Sequence, residues 1–497
     1  MTLLINILIS LINACFSVKF LHVFQLKNYS AIRYLSFFCG AKSVYFLVNS
    51  LVLLLQFVFP FEIFFLCCVI FLLLFNFAFN LTLIKSKKTP LVFTAKIVRL
   101  LVVCVAICFV PFPLKFGCFI SNILLLFAPI LANFLNVYDT FKNRHFIKQA
   151  SKMIKGKNIK IIAITGSNGK TSIKNILFEM LKENYVVQAS PHSYNTPLGI
   201  SKFINNGLKD DCQILILEYG ARKKGDIKNL CQTFGADYGV ISTVAPQHLQ
   251  TFKTVENVYI AKKELSNHLN NKPCVFNLDN LYTLRMFNQH PKNALSASIF
   301  AKADVFATNI KIKNTQTYFN LHFNNQVLPC QTVLLGEHNI QNITISACLA
   351  HHLGVPLDKI KTAISNLKFV PHRLELIKGA MNILDDTYNC SLLSAQQSIK
   401  VLNKFSGKKM IITPGIIEGG KHQFNINKHL GEMCVADWVV IVGNLNKKAI
   451  LCGLNSQGLN TKKILFAPTL NDAKQYYKLL NSNDTLLFLN DLPDDYC

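Results

Sequence analysis

Ile164-Thr165-Gly166-Ser167-Asn168-Gly169-Lys170-Thr171 is the stretch of this chain whose surroundings decide how it folds. A short β-branched, apolar run, Ile159 to Ile164, leads into it, and Ile173, Ile176, Leu177, Met180 and Leu181 follow at i, i+3, i+4, i+7, i+8 spacing. That pattern predicts a buried strand feeding an amphipathic helix. At such a helix start, unpaired backbone N–H groups and the positive end of the helix dipole favour an anion, and glycines let the backbone approach it closely. Thr165, Gly166, Ser167, Asn168 and Gly169 then cradle phosphate, Lys170 reaches the terminal phosphates and Thr171 offers a hydroxyl to Mg2+. ATP is the expected ligand. Isoleucine at 164 departs from the strict pattern, which has glycine there, and an ordinary glycine turn before a helix is the bland alternative.

Composition points two ways at once. The chain of 497 residues is 51% apolar with 39 Phe, which suits a membrane protein, whereas the glycine loop suits a soluble α/β fold. The two properties separate along the sequence: before Asp139 the only acidic residue is Glu62. Apolar runs lie at about 3–24, 35–59, 63–84, 91–110 and 116–137, each near the ~20 residues that cross a bilayer. The expectation is a transmembrane N-terminal region, 1–140, of five spans, or four because Lys42, Lys96 and Arg99 weaken two runs. Basic clusters at Lys27 and Arg33, at Lys85 to Lys88, and from Lys142 to Lys160 fall on one side of five spans. The positive-inside tendency makes that side the cytoplasm, so everything after 140 is expected on the cytoplasmic face of a bacterial inner membrane.

A net charge of +26 raises nucleic acid as a partner, but part of it flanks the apolar runs and no arginine-rich run or RNA-binding motif is present. Membrane lipid is the simpler expected partner, and no nucleic acid is expected. The 16 cysteines include no C-x-x-C pair and many sit in apolar runs, so they read as buried free thiols rather than zinc ligands or disulfides.

Past residue 150, strand-like and helix-like stretches alternate, as in a parallel sheet with crossover helices. One strand, Cys212 to Leu217, delivers Glu218 to its C-terminal end, the edge that faces the ligand crevice of an open α/β sheet. The next, Tyr238 to Val244, delivers Ala245-Pro246-Gln247-His248 to the same edge, so Glu218 and His248 can both approach phosphate-bound Mg2+. Taken singly, a glutamate or loop histidine is more often structural or solvated. Further strands are expected at Lys409–Thr413, Trp438–Val442, Ile464–Ala467 and Thr485–Leu489. No G-x-G-x-x-G fingerprint accompanies them, and no NAD is expected.

From about residue 140 onward the chain resembles the Mur ligase family. The glycine loop, Leu217-Glu218-Tyr219-Gly220 with Gly225-Asp226-Ile227, the Ala245 to Leu249 segment, and Gly336-Glu337-His338-Asn339-Ile340-Gln341-Asn342 occur in that family's order. Within it the chain is most similar to the MurF type, which adds D-alanyl-D-alanine to UDP-N-acetylmuramoyl tripeptide. Tyr194 to Gly199, Leu384 to Asn389 and Thr413 to Gly419 carry that likeness. The resemblance implies a central ATP-binding domain, 141–370, and a Rossmann-like C-terminal domain, 371–497, that close on each other by a hinge near Val370 to Leu374. It implies activation of a carboxylate as an acyl phosphate before an amine attacks, with two Mg2+ ions offsetting the charge.

By the same resemblance, Thr171 and Glu218 hold the first Mg2+, and His248 and a carbamylated lysine hold the second. Lys262 is in register for that lysine, although Lys263 stands beside it and two solvated helix lysines are the bland reading. His338, Asn339 and Asn342 fall at the ATP base and sugar, Arg373 at the phosphates, Asp386 at the ribose, and Asn195 and Thr196 at the muramyl substrate. Lys170, Lys262, His248 and Arg373 are the expected catalytic set. The family's soluble N-terminal domain, which grips the UDP end, has no counterpart in the sequence. Either the basic 142–160 stretch and adjoining span faces hold UDP, or the membrane part is a tether. A folylpolyglutamate-synthase-like ligase and a membrane P-loop ATPase are the competing functions.

Overall fold

The computed structural model describes residues 21–25, 34, 93–94, 97–102 and 137–491, the last range without 192, 291, 314, 389, 418, 459 and 460. The apolar runs on which the membrane expectation rests lie almost wholly outside these residues. Among the described residues no helix is long and apolar enough to cross a membrane. The helix Val137–Lys155 has the length, at 19 residues, but it carries Asp139, Lys142, Arg144, Lys148, Lys152 and Lys155. The expected transmembrane N-terminal region is corrected accordingly, and with it the inner-membrane location and the lipid partner.

Residues 143–491 form one compact unit. Its first sheet has nine strands in the order β2-β3-β1-β4-β5-β6-β7-β8-β9. In chain order these are β1 Lys160–Thr165, β2 Val187–Ala189, β3 Ile214–Glu218, β4 Tyr238–Ile241, β5 Cys274–Asn277, β6 Ala294–Ser298, β7 Val305–Lys313, β8 Gln316–Phe323 and β9 Gln326–Thr332. The strands from β2 to β7 run parallel, and β1 is buried from Ile161 onward because helices cover both faces of the sheet there. On one face the helix Lys170–Leu181 buries Ile173, Ile176, Leu177, Met180 and Leu181, the five positions its spacing predicts.

The sequence reading did not anticipate that β7, β8 and β9 turn the sheet antiparallel. Their side chains alternate between buried and more exposed, as expected where one face packs on the core and the other meets solvent.

A second sheet has the order β10-β11-β15-β12-β13-β14, with β10 Glu375–Lys378, β11 Asn382–Asp386, β12 Lys409–Thr413, β13 Trp438–Val442, β14 Ile464–Ala467 and β15 Thr485–Leu489. β10 is antiparallel to β11 and the others are parallel. The last four strands keep the bounds read from the sequence.

Register fixes what reaches the working edge of the first sheet. Ile164 pairs with Glu218 and Thr165 with Ile241, so the glycine loop, Glu218 and the loop from Ser242 all leave the sheet at neighbouring C-terminal strand ends.

Candidate active site

Two glycines shape the loop after β1. Gly166 has φ 149° and Gly169 φ 83°. A Cβ at Gly166 would collide with Ser242 Oγ, and one at Gly169 would meet Asn342 Oδ1. The loop is anchored to the next crossover by several bonds. Ser167 N donates to the Thr243 carbonyl at 2.7 Å, Ser167 Oγ donates to the Ala245 carbonyl at 3.1 Å and Asn168 N donates to Thr243 Oγ1 at 3.2 Å. Thr165 is buried behind the cradle, where its hydroxyl donates to the Tyr219 carbonyl at 2.9 Å.

Thr171 links three parts of the molecule. Its Oγ1 donates to Glu218 Oε2 at 3.1 Å and accepts from Arg373 Nη2 at 3.2 Å. Glu218 is fully buried at the end of β3, and its Oε1 lies 2.8 Å from Lys174 Nζ. That contact is an ion pair out of line for a hydrogen bond, which leaves Oε1 without a hydrogen-bond donor. A buried carboxylate whose Oε2 stands beside a threonine hydroxyl fits Mg2+, which takes one or two protein oxygens and fills its octahedron with phosphate and water.

Lys170 Nζ donates to the Gly166 carbonyl at 2.7 Å. Burial pushes its proton affinity down to about 8, against a pull upward from Glu218 and a smaller push down from Arg373. A phosphate at the loop favours the ammonium, so its binding raises that value again. Nucleotide binding at pH ~8.5 is therefore expected to take up a proton, and binding at pH ~6.5, where Lys170 is already charged, to take up almost none. Calorimetry in two buffers of different ionisation heat measures this; buffer-independent heats at the higher pH would rule out Lys170 as the phosphate contact.

A cavity of about 660 Å³ opens from this loop and is lined from both sheets. Ser167, Asn168, Gly169, Lys170, Thr171, Glu218, His248 and Lys262 line it, as do Asn195, Thr196, His338, Asn339, Asn342, Arg373 and Asp386. Of the residues expected from sequence, only Thr165 and Gly166 stand behind its wall. His248 is in a left-handed conformation, φ 50°, at the start of the turn Leu249–Phe252. Lys262 is 1% exposed on the helix Val255–Leu269, and burial, reinforced by Lys170, pushes its ammonium well below the usual lysine range. No ion pair reaches Lys262 among the described residues.

His338 Nδ1 is buried without a partner, and burial pushes the ring down to about 4, so it is a neutral imidazole. Asn339 Nδ2 donates to the Leu335 carbonyl at 2.8 Å. Asp386 ends β11; burial raises it to about 6, and its Oδ2 accepts from Ser398 Oγ at 2.6 Å. Thr196 caps the helix Pro197–Gly207, accepting from Gly199 N. The Asn195 carbonyl accepts from Gly220 N at 3.0 Å, where any Cβ on Gly220 would strike Asn195.

Sequence reasoning passed over several lining residues. Asp279 Oδ2 accepts from Gln341 Nε2 at 2.9 Å and Asn277 Oδ1 from the same nitrogen at 3.1 Å, which joins β5 to the helix Glu337–His352. The Arg373 guanidinium stacks on Tyr388 at 4.6 Å, and Tyr388 Oη lies 2.6 Å from Ser193 Oγ. Ser391 Oγ, which caps the helix Leu392–Leu402, donates to Asn168 Oδ1 at 3.2 Å.

Residues 164–350 match the family model "Mur ligase middle domain". That segment is therefore similar to a Mur ligase middle domain. The matched span contains the glycine loop, Glu218, His248, Lys262 and the His338 to Asn342 segment, while Arg373 and Asp386 lie beyond it. The chain is similar to the UDP-N-acetylmuramoyl-tripeptide--D-alanyl-D-alanine ligase of Buchnera aphidicola subsp. Baizongia pistaciae, 30% identical over 302 residues, covering 59% of this chain and 65% of that one. The enzyme of the same name from Escherichia coli strain K12 is 28% identical over 293 residues, covering 57% and 64%. The chain thus spans just under two thirds of the length of these relatives. The crystal structure of MurF ligase from Thermotoga maritima in complex with ADP superposes with TM-score 0.64 and 26% identity, covering 70% of this chain and 80% of that one.

Proposed function

We propose that this chain is an ATP-dependent ligase that joins D-alanyl-D-alanine to UDP-N-acetylmuramoyl tripeptide, a step of peptidoglycan precursor synthesis. The observation that carries the proposal is Thr171, whose hydroxyl joins the Glu218 carboxylate and the Arg373 guanidinium at the mouth of a phosphate loop. The relatives named above supply the substrate pair.

Joining a carboxylate to an amine in water requires the carboxylate to be activated first. A carboxylate oxygen of the tripeptide attacks the γ-phosphorus, the bond to the β-phosphate oxygen breaks, and an acyl phosphate and ADP result. The dipeptide amine then attacks the acyl carbon, phosphate leaves and the nitrogen loses its proton. Lys170 and Arg373 meet the charge that develops on the phosphoryl oxygens, where fixed donors act best. Mg2+ supplies further neutralisation when bound, with Thr171 and Glu218 as holders of one ion and His248 and Lys262 of a second. His338, Asn339, Asn342 and Asp386 hold the nucleoside, and Asn195 and Thr196 the muramyl peptide. The two sheets act as separate domains hinged near Val370 to Leu374, with Arg373 making its contact on closure.

Carbamylation of Lys262 belongs to this reading. Only a neutral amine attacks carbon dioxide, and the burial of Lys262 favours that form. With 13C-labelled bicarbonate, a carbamate carbon resonance is expected in the wild type and absent in Lys262→Met; an identical spectrum for both proteins rejects it.

The decisive assay supplies ATP, UDP-N-acetylmuramoyl tripeptide and D-alanyl-D-alanine to the purified chain. Phosphate release that needs both substrates, with a product heavier by the dipeptide less water, supports the ligase. Release with neither identifies an uncoupled ATPase, and release driven by folate and glutamate the alternative ligase.

A further inference from the structure

Lys174 is a charged side chain beside the site that the reaction above leaves unused, and it is among the most deeply buried. It sits one turn beyond Lys170 on the helix Lys170–Leu181 and is 2% exposed. Its Nζ makes an ion pair with Glu218 Oε1 at 2.8 Å and donates to the Ser190 carbonyl at 2.7 Å. Ser190 follows β2 directly and opens the loop that ends in Asn195 and Thr196. One ammonium therefore touches the carboxylate on the metal side and the backbone on the muramyl side.

Burying a lysine costs several kcal/mol unless its charge is met and its protons are placed. A helix that only needed to pack would carry an apolar residue here, next to Ile173 and Leu177. Charge and direction are what Lys174 adds. The carboxylate has two oxygens, and with Oε1 drawn toward Lys174, Oε2 is left facing the Thr171 hydroxyl at 3.1 Å.

Resting on the ligase reading, we propose that Lys174 is a positioning residue that sets the Glu218 carboxylate for Mg2+ and fastens the Asn195–Thr196 loop to the same ammonium. Metal–nucleotide and muramyl-peptide binding are then coupled through one side chain. Outer partners that orient a metal ligand typically contribute ten- to hundred-fold in metal affinity.

The test uses the full chain, a fluorescent ADP and increasing Mg2+, read by anisotropy, so that no turnover is involved. Lys174→Gln keeps an amide donor but loses the charge. It is expected to raise the half-saturating Mg2+ concentration about tenfold while leaving Mg2+-free ADP binding unchanged, a split that general loosening of the fold would not produce. Lys182→Gln, on the surface of the same helix, is the control and stays at the wild-type value. In the wild type, saturating UDP-N-acetylmuramoyl tripeptide is expected to lower the half-saturating Mg2+ concentration, since coupling is reciprocal. That second measurement needs no variant and holds even where Lys174→Gln does not fold. An unchanged Mg2+ midpoint in folded Lys174→Gln, or no effect of the tripeptide on the wild type, overturns the role of Lys174. A wild type whose ADP binding ignores Mg2+ altogether sinks the ligase reading instead.

Discussion

Lys170→Ala is expected to lower the ligation rate about a thousand-fold and to leave the folded structure in place, the scale lost when a preorganised donor to developing charge is removed. The side chain reaches back along its own loop to the Gly166 carbonyl, at 2.7 Å, and is not a packing element of the core. Its burial lowers its proton affinity to about 8, so the free protein holds the charge at a cost that Glu218 offsets only in part. Removing it relieves that cost, and the denaturation midpoint is expected to stay level or rise. The effect should fall on kcat more than on the KM of the muramyl peptide, because the charge that Lys170 meets grows as the γ-phosphoryl group transfers. Rapid-quench measurement of ADP formation, with mass spectrometry of the peptide product, checks this. If the loop were a plain glycine turn, Lys170→Ala would turn over at the wild-type rate.

The features legible in the sequence were those set by short-range periodicity. The helix after the loop was readable because its five apolar positions recur on one face, and the strands of the second sheet because four apolar runs stand between polar turns. Glu218 was readable as a site residue because it closes an apolar run, and a run buried on both faces delivers its last residue to the sheet edge. The antiparallel extension β7–β9 was less visible: it alternates polar and apolar residues, and no Asn-Gly or Asp-Gly signal follows Lys313 or Phe323 in the sequence.

Lys174 was missed for a sharper reason. The apolar face of its helix skips position 174, and only the packing of the helix start on β3 and on the loop after β2 turns that lysine inward. The contacts of Arg373 with Thr171 and of Ser391 with Asn168 span more than 200 residues, and nothing local encodes them. The transmembrane expectation rested on apolar runs with basic flanks that lie almost wholly outside the described residues, and no described helix upholds it.

Glu218→Ala is expected to cost about 3–5 kcal/mol of folding stability as well as the activity, because it strands the Lys174 ammonium in the interior. The pair is buried on both sides, with side-chain exposures of 3% and 1%. Removing one partner leaves an uncompensated charge there, and Thr171 Oγ1 also loses its acceptor. Replacing both, as Glu218→Leu with Lys174→Met, takes the charges away together and fills similar volume. Stability is then expected to return close to the wild-type value, since a buried pair exchanged for apolar groups is often neutral. Activity is not expected to return, because no carboxylate is left for the metal. Urea denaturation of Glu218→Leu, Lys174→Met and the double variant closes a cycle whose interaction term isolates the pair. A single-variant loss below ~1 kcal/mol would place the pair in solvent-like surroundings, against the burial described here. Recovery of stability without recovery of turnover would assign Glu218 two separable duties: neutralising Lys174 for the fold, and presenting an oxygen beside Thr171 for the reaction.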